Sequence, residues 1–285
     1  MEHTSLLERW LRGIALTAVV LFFMFPIFWI VLMSFQTNET ILRSPPSMVF
    51  TPTMQNYVAL ITGRLETQAG TLDINFMRNL MNSVILSVSS VALALLLGVP
   101  AAYAFARHKF RGSEDIAFTL LSFRFAPPLL VLLPLTLYFQ TLGLANTYIG
   151  LIWVYQLICL PLILWIVRGY FEDISPDVEH AYRIAGHGWG ATFLKIALPL
   201  AGPGIAAAGL LAFIFAWNNF IFALVLASAD KQPVTVGALA FVTASGIQYG
   251  QIAAAVVLSI APTLALALYA QRYLVEGLSL GAVKG

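Results

Sequence analysis

Apolar residues run along this chain in six long stretches, roughly 11–35, 80–106, 116–139, 148–167, 200–227 and 252–270. Each has the length that a helix needs to cross a bilayer, about 20 mostly apolar residues. No Asp, Glu or His falls inside any of them; Arg12 sits at the edge of the first, and the one charge in the interior of a span is Arg124. Pro26, Pro127, Pro128, Pro134, Pro161 and Pro262 also fall inside spans. Neighbouring helices can satisfy the backbone groups that such kinks free. The first stretch is too long for a signal peptide and is followed by no small-residue cleavage site. The pattern predicts an all-α integral membrane protein, with one transmembrane domain over residues 1–285 and six spanning helices.

Two polar segments are too long to be simple connectors. One covers 36–79 and holds the Pro45-Pro46 pair and FTPTMQNY (50–57); the other covers 168–199. Lys and Arg orient the chain, because short cytoplasmic loops collect them. With the N-terminus inside, Arg9, Arg12, Arg107, Lys109, Arg111, Arg168, Arg183, Lys195, Arg272 and Lys284 lie in inner segments. Only Arg43, Arg64, Arg78 and Lys231 lie in outer ones. Both termini are therefore expected in the cytoplasm, and the 168–199 loop with them.

Composition narrows the function. Of 285 residues, 60% are hydrophobic and 10% charged, against about 25% charged in an ordinary soluble domain. Mean hydropathy is +0.86. These values exclude a disordered chain, a nucleic-acid-binding domain and a soluble enzyme of the usual kind. The net charge of +2 points to no polyanionic partner. Cys159 is the one cysteine, so neither an internal disulfide nor a paired-thiol metal site is available. No metal-ligand spacing occurs, and catalytic residues are lacking.

The inner loop carries the clearest local signals. Ser175-Pro176 is a helix start, a side-chain cap followed by proline at the first helical position. Asp177 and Glu179 follow in the first turn, where the helix dipole favours acids. Val178, Ala181 and Tyr182 are spaced to share one face. Gly186, Gly188 and Gly190 break the run, and Trp189, Phe193 and Ile196 suggest a second short helix to about Ala197. On spacing alone this is an amphipathic helix pair at the membrane surface.

The same residues carry a resemblance. EHAYRIAG (179–186), followed by Phe193, Ile196 and Leu198-Pro199, resembles the signature loop of the inner-membrane permeases of ATP-binding-cassette importers. AAYAFAR (101–107) with KFRG (109–112), WNNF (217–220) and the tail RYLVEGLSLGAVKG (272–285) resemble further motifs of that group. The tail is similar to that of the smaller six-span subunit of maltose-type importers. The resemblance implies the type I importer permease fold in a bacterial inner membrane, with carbohydrate as solute. It implies that the loop docks as a coupling helix in a cleft of the ATPase. The implied partners are a second, homologous permease, two ATPase subunits, an extracytoplasmic solute-binding protein and membrane lipid, with no nucleic acid. This chain would hold no cofactor, and ATP and Mg would be bound by the ATPase subunits.

Within the loop, Gly186 takes the family's glycine position, and the glutamate position falls on His180, with Glu179 one residue earlier. The carboxylate contact to the ATPase is then either shifted to Glu179 or replaced by His180. Ala181, Tyr182 and Ile184 would supply the apolar insertion.

The chain has no phosphate-binding loop of the form G-x-x-x-x-G-K followed by Ser or Thr. Energy must come from another subunit or from an ion gradient. Ion-coupled carriers place ionisable residues within the bundle, and the spans lack acids and histidines, so an ion-coupled carrier is the weaker alternative. A permease of the same fold for a non-sugar solute is the other. The candidate solute path comprises Arg124, Asn82, Tyr155, Gln156, Asn218 and Asn219. Arg124 reads either as a path or gate residue or as a structural arginine bonding carbonyls freed by Pro127-Pro128. For the polar and amide side chains, hydrogen bonding between helices is the competing role. Trp153, Trp165 and Trp217 read as anchors at the membrane interface.

Overall fold

The structure is a computed structural model, which describes residues 6–44, 49–67, 70–108, 110–125, 127–243 and 246–281. The Pro45-Pro46 pair, Lys109 and residues 282–285 of the tail lie outside the described residues. In chain order the helices are α1 (Leu6–Ser34), α2 (Asn38–Ile41), α3 (Gln55–Thr62), α4 (Phe76–Arg107), α5 (Ser113–Ser122), α6 (Pro128–Thr141) and α7 (Tyr148–Asp173). They continue with α8 (Pro176–Ile184), α9 (Trp189–Thr192), α10 (Leu198–Leu200), α11 (Gly202–Trp217), α12 (Ile221–Leu226), α13 (Val234–Gly237) and α14 (Tyr249–Gly281). Two small antiparallel pairs complete the secondary structure, Arg64–Thr67 with Gly70–Asp73 and Val242–Thr243 with Gly246–Ile247.

Four helices are long and apolar enough to cross a membrane, and two bent pairs bring the number to as many as six. The first bent pair is the third predicted span, and the second joins the end of the 168–199 loop to the first part of the fifth. The third does not run unbroken over 116–139. It consists of α5, a 3-10 turn at Phe123–Phe125, and α6. Proline has no N–H to donate, and the residue before a proline is pushed out of helical geometry. Pro127 accordingly adopts φ −58°, ψ 118°, and Pro128 opens α6. The helix that closes the 168–199 loop turns by 71° into α11 at the start of the fifth span, and within that span the helix stops at Trp217, so Asn218 to Phe220 separate α11 from α12.

The chain divides into two compact units. The first contains residues 1–77 and 238–261. Its organising contacts come from the FTPTMQNY segment. Asn56 Nδ2 donates to the carbonyls of Ser34 (2.9 Å) and Gln36 (2.8 Å), which ties up backbone acceptors left free where α1 ends. Tyr57 shares a 2.7 Å hydrogen bond with Ser34 Oγ and packs on Phe35. Asn38 Oδ1 accepts from the Tyr249 amide at the start of α14. Residues 7–28 of α1 are all exposed, so that apolar helix is solvated by lipid or by another subunit rather than by its own unit.

The second unit contains residues 78–237 and 262–285. Its centre is the packing of α11 on α7. Small residues let membrane helices approach closely, and here Gly204 sits directly under the Tyr170 ring, where an added Cβ would overlap the ring carbons. Cys159 Sγ points at the Ala212 carbonyl, 3.8 Å away. Gln156 Nε2 donates to the Ser90 carbonyl of α4 (3.1 Å). Trp217 is 4% exposed and stacks on Phe213. It is therefore a packing residue of the unit, in contrast to the expected interface anchor. Trp153 and Trp165 remain exposed.

Gly204→Val is expected to destabilise the unit by about 1–3 kcal/mol, the usual cost of overpacking a filled site. Thermal unfolding in detergent measures it, and Tyr170→Ala in the same chain should restore much of the loss.

Candidate functional site

The loop after α7 folds into a bracket held against α4. Ser175 Oγ accepts from the Asp177 amide (3.3 Å), and Pro176 takes the first helical position of α8, as expected from the sequence. Helical periodicity then puts Glu179 on the inner face, 2% exposed. Its carboxylate accepts from Tyr103 Oη at 2.6 Å and from Arg107 Nε at 2.8 Å. Arg107 Nη2 lies 2.7 Å from the same carboxylate and also donates to the Ile174 carbonyl at 2.9 Å. A buried ion pair thus joins α8 to the C-terminal end of α4. Buried charges persist only where partners replace the lost water, and here both charges are fully engaged.

Aromatic packing backs the ion pair. The Tyr103 ring lies 5.3 Å from Phe171 at the end of α7 and 4.9 Å from Phe193 of the second short helix. Arg183 stacks over Trp189 at 3.8 Å, and His108 lies 5.3 Å from Trp189. Tyr182 stacks on His187 at 4.0 Å. Gly186 ends the helix at φ +93°, and its amide donates to the Arg183 carbonyl. Glycine adopts that geometry without the penalty a Cβ brings. The second helix starts at Trp189 as expected but continues through a π turn at Phe193–Ala197 to Leu200.

The outward side of α8 is a different surface. His180, Ala181 and Ala185 are exposed, and Ile184 is 87% exposed. Of the two residues between which the sequence left the carboxylate contact open, Glu179 faces inward and is consumed, and His180 faces outward. Tyr182 is half-buried. Arg107 and Tyr103, which hold Glu179, were not among the candidates. Both lie in AAYAFAR, so the motif was visible, but nothing in spacing announces a partner 72 residues away.

The polar residues of the solute-path set are not gathered in one place. Asn82 is 2% exposed and saturated: Nδ2 donates to the Asp230 and Gln232 carbonyls, and Oδ1 accepts from Tyr148 Oη. It staples α4 to the 228–233 loop. In that loop the Lys231 ammonium beside Asp230, helped by Asn146, holds the Asp230 carboxyl below its usual range. Asn218 bonds back to the Ile214 carbonyl of its own helix. Tyr155 is buried, and its hydroxyl has no partner among the described residues.

Arg124 and Asn219 do come together. Both line a cavity of about 140 Å³ with Phe123, Pro128, Val131, Leu157, Ile158, Ile221 and Phe222. The cavity lies where the break in the third span meets the break in the fifth. A larger groove of about 950 Å³ between α4, α11 and the second half of α14 is walled by apolar side chains, with Tyr269 its one polar side chain. The described residues contain no cluster of three or more His, Cys, Asp or Glu side chains suited to a metal.

The architecture is that of a multi-pass helical permease. A chain of a solved bacterial transporter, described as involved in import of the acidic polysaccharide alginate, has the same fold: TM-score 0.75, 22% identity, with 96% of this chain and 99% of that chain covered. This chain belongs to the family of binding-protein-dependent transport system inner membrane components, whose model matches residues 94–279. It is 32% identical over 283 residues to the trehalose/maltose transport system permease protein MalG of Thermococcus litoralis, covering 99% of each chain. It is 34% identical over 274 residues to the trehalose transport system permease protein SugB of Mycobacterium tuberculosis, covering 94% of this chain and 95% of that one.

Proposed function

We propose that this chain is one permease half of an ATP-driven, binding-protein-dependent importer of a sugar or sugar derivative. Its relatives carry names of trehalose and maltose transport, and the residues that resemble the family cover the chain from α4 to α14. The partners are a second permease, two ATPase subunits and an extracytoplasmic solute-binding protein, with both termini on the ATPase side. One observation carries the mechanistic reading: α8 exposes His180, Ala181 and Ile184 while Glu179 locks its other face to Arg107. A helix that presents Ala181 and Ile184 outside and is bolted inside transmits a push as a rigid body. ATP-driven closure of the motor subunits would move α8, and with it the ends of α4 and α7, opening the path to the other side. The chain's own contribution is mechanical, and the hydrolytic chemistry belongs to the motor.

The test is reconstitution with the partner permease, the ATPase subunits and the binding protein. Sugar-dependent ATPase activity and ATP-dependent uptake are expected together. Uptake by this chain alone under an ion gradient, indifferent to ATP, would establish a secondary carrier instead. Uptake confined to a non-sugar solute would leave the mechanism and change the cargo.

Gly186→Val checks the turn. No neighbour lies within 4 Å of a Cβ at this position, so the cost comes from the left-handed backbone, about 1–2 kcal/mol. The turn should relax to another geometry and shift the exposed face of α8. Basal ATPase should persist, while sugar stimulation and uptake fall severalfold. Unchanged stimulation and uptake would refute the role given to the turn.

A further inference from the structure

We propose that the cavity between the two broken spans is a binding subsite for the carboxylate end of an acidic sugar, with Arg124 and Asn219 as its polar contacts. The proposal rests on the importer reading above and adds the charge class of the cargo.

Two residues that line this cavity from different spans each carry a buried polar atom without a partner among the described residues. Arg124 Nη1 is buried and donates to no acceptor among the described residues. No carbonyl of the described residues near Pro127-Pro128 accepts from it. Its guanidinium is held over the Phe215 ring, 4.2 Å from the centroid, which sets its position without neutralising it. Ion pairs among the described residues engage Arg107, Arg168 and Lys231, and Arg124 is in none of them. Asn219 is 9% exposed. Its backbone carbonyl accepts from Thr235 Oγ1, but its side-chain Oδ1 has no donor among the described residues. Buried polar atoms are nearly always paired, and an exception asks for a partner that comes from elsewhere.

The two unpaired groups specify that partner. A cation in an apolar pocket favours an anion, and a guanidinium suits a carboxylate. Pro128 begins α6, so the positive end of that helix adds to the same field. An acceptor such as Asn219 Oδ1 wants a hydroxyl donor beside the anion. A uronic acid offers both, a carboxylate with ring hydroxyls a few ångströms away. A fully ionised phosphate fits less well, since one guanidinium cannot balance its charge. The remaining lining is apolar and suits the ring faces of a sugar. About 140 Å³ admits one terminal ring at most, so this is an end-group subsite.

The experiment uses the complete transporter in proteoliposomes and compares two probes, digalacturonate and trehalose. The wild type is expected to import digalacturonate. Arg124→Gln should reduce that uptake at least tenfold, chiefly as a raised half-saturating concentration, and change the yield of assembled complex by less than twofold. Arg124→Lys should recover part of it. Asn219→Asp, of nearly equal shape but negative, should also reduce digalacturonate uptake severalfold. Any trehalose uptake should change less than twofold in all three. Equal loss for both sugars would overturn the subsite in favour of a gate or packing role. Import of trehalose without digalacturonate would overturn it while leaving the importer reading intact. ATP-driven uptake of neither sugar would overturn the importer reading and the subsite together.

Discussion

Glu179→Ala is expected to be the most damaging single change in the chain, costing about 3–5 kcal/mol, the typical result of removing one partner of a buried ion pair. The substitution leaves the Arg107 guanidinium beside an empty space, with its side chain 9% exposed. Tyr103 loses its acceptor as well. The bracket would loosen at its centre, and α8 would no longer move with α4. Thermal unfolding of the complex reads the stability loss, and sugar-stimulated ATPase reads the coupling loss. The reverse change, Arg107→Met, should cost a similar amount. The double variant Arg107→Met with Glu179→Leu should lie far nearer the wild type in stability, because an apolar pair of similar volume leaves no uncompensated charge. Additive losses in the double variant would show that the pair carries no coupling energy. Tyr103→Phe removes one hydrogen bond to a charged group and should cost about 1.5–3 kcal/mol.

Ile184→Asp should act in the opposite way, with little effect on the chain and a large effect on assembly. Ile184 is 87% exposed, so a carboxylate there stays hydrated, and unfolding should shift by no more than about 0.5 kcal/mol. If α8 enters a cleft of the ATPase, the same carboxylate must be stripped of water on docking. Central contacts of this kind are worth about 2–4 kcal/mol, which corresponds to roughly 30- to 1000-fold weaker association. The ATPase should then be lost during purification and ATP-driven uptake abolished. His180→Ala, at the neighbouring exposed position, should give a smaller loss. Normal co-purification of the ATPase with the Ile184→Asp chain would place the docking surface elsewhere.

These two residues also show how far the sequence carries. Ser175, Pro176 and Gly186 announced a short helix and its stop, because a capping hydroxyl, a proline with nothing to donate and a glycine act through local backbone geometry. The direction of Glu179 was not legible. An acid in a first helical turn is explained by the helix dipole alone, and that explanation hid a partner in another helix. The third and fifth spans were legible as apolar length but not as broken rods. Composition registers solvation by lipid, whereas a bend before Gly202 or a stop at Asn218 depends on what packs alongside. Asn82 looked as suited to a solute as Asn219, since both are amides near span ends. Only the fold showed that one is saturated by the 228–233 loop and Tyr148, while the oxygen of the other has no donor among the described residues.

The sequence by itself determined that this chain lives in lipid, about where it crosses, and which loop folds into a pair of short helices. Each of those properties belongs to a segment's own length, composition and periodicity, and a segment carries them wherever it sits. The tertiary structure alone decided that α8 turns its glutamate inward and its isoleucine outward, and that Arg124 and Asn219 share one cavity. Those facts depend on residues far apart in the chain being brought within a few ångströms, where the cost of leaving a buried charge or a buried carbonyl oxygen unpaired selects the arrangement.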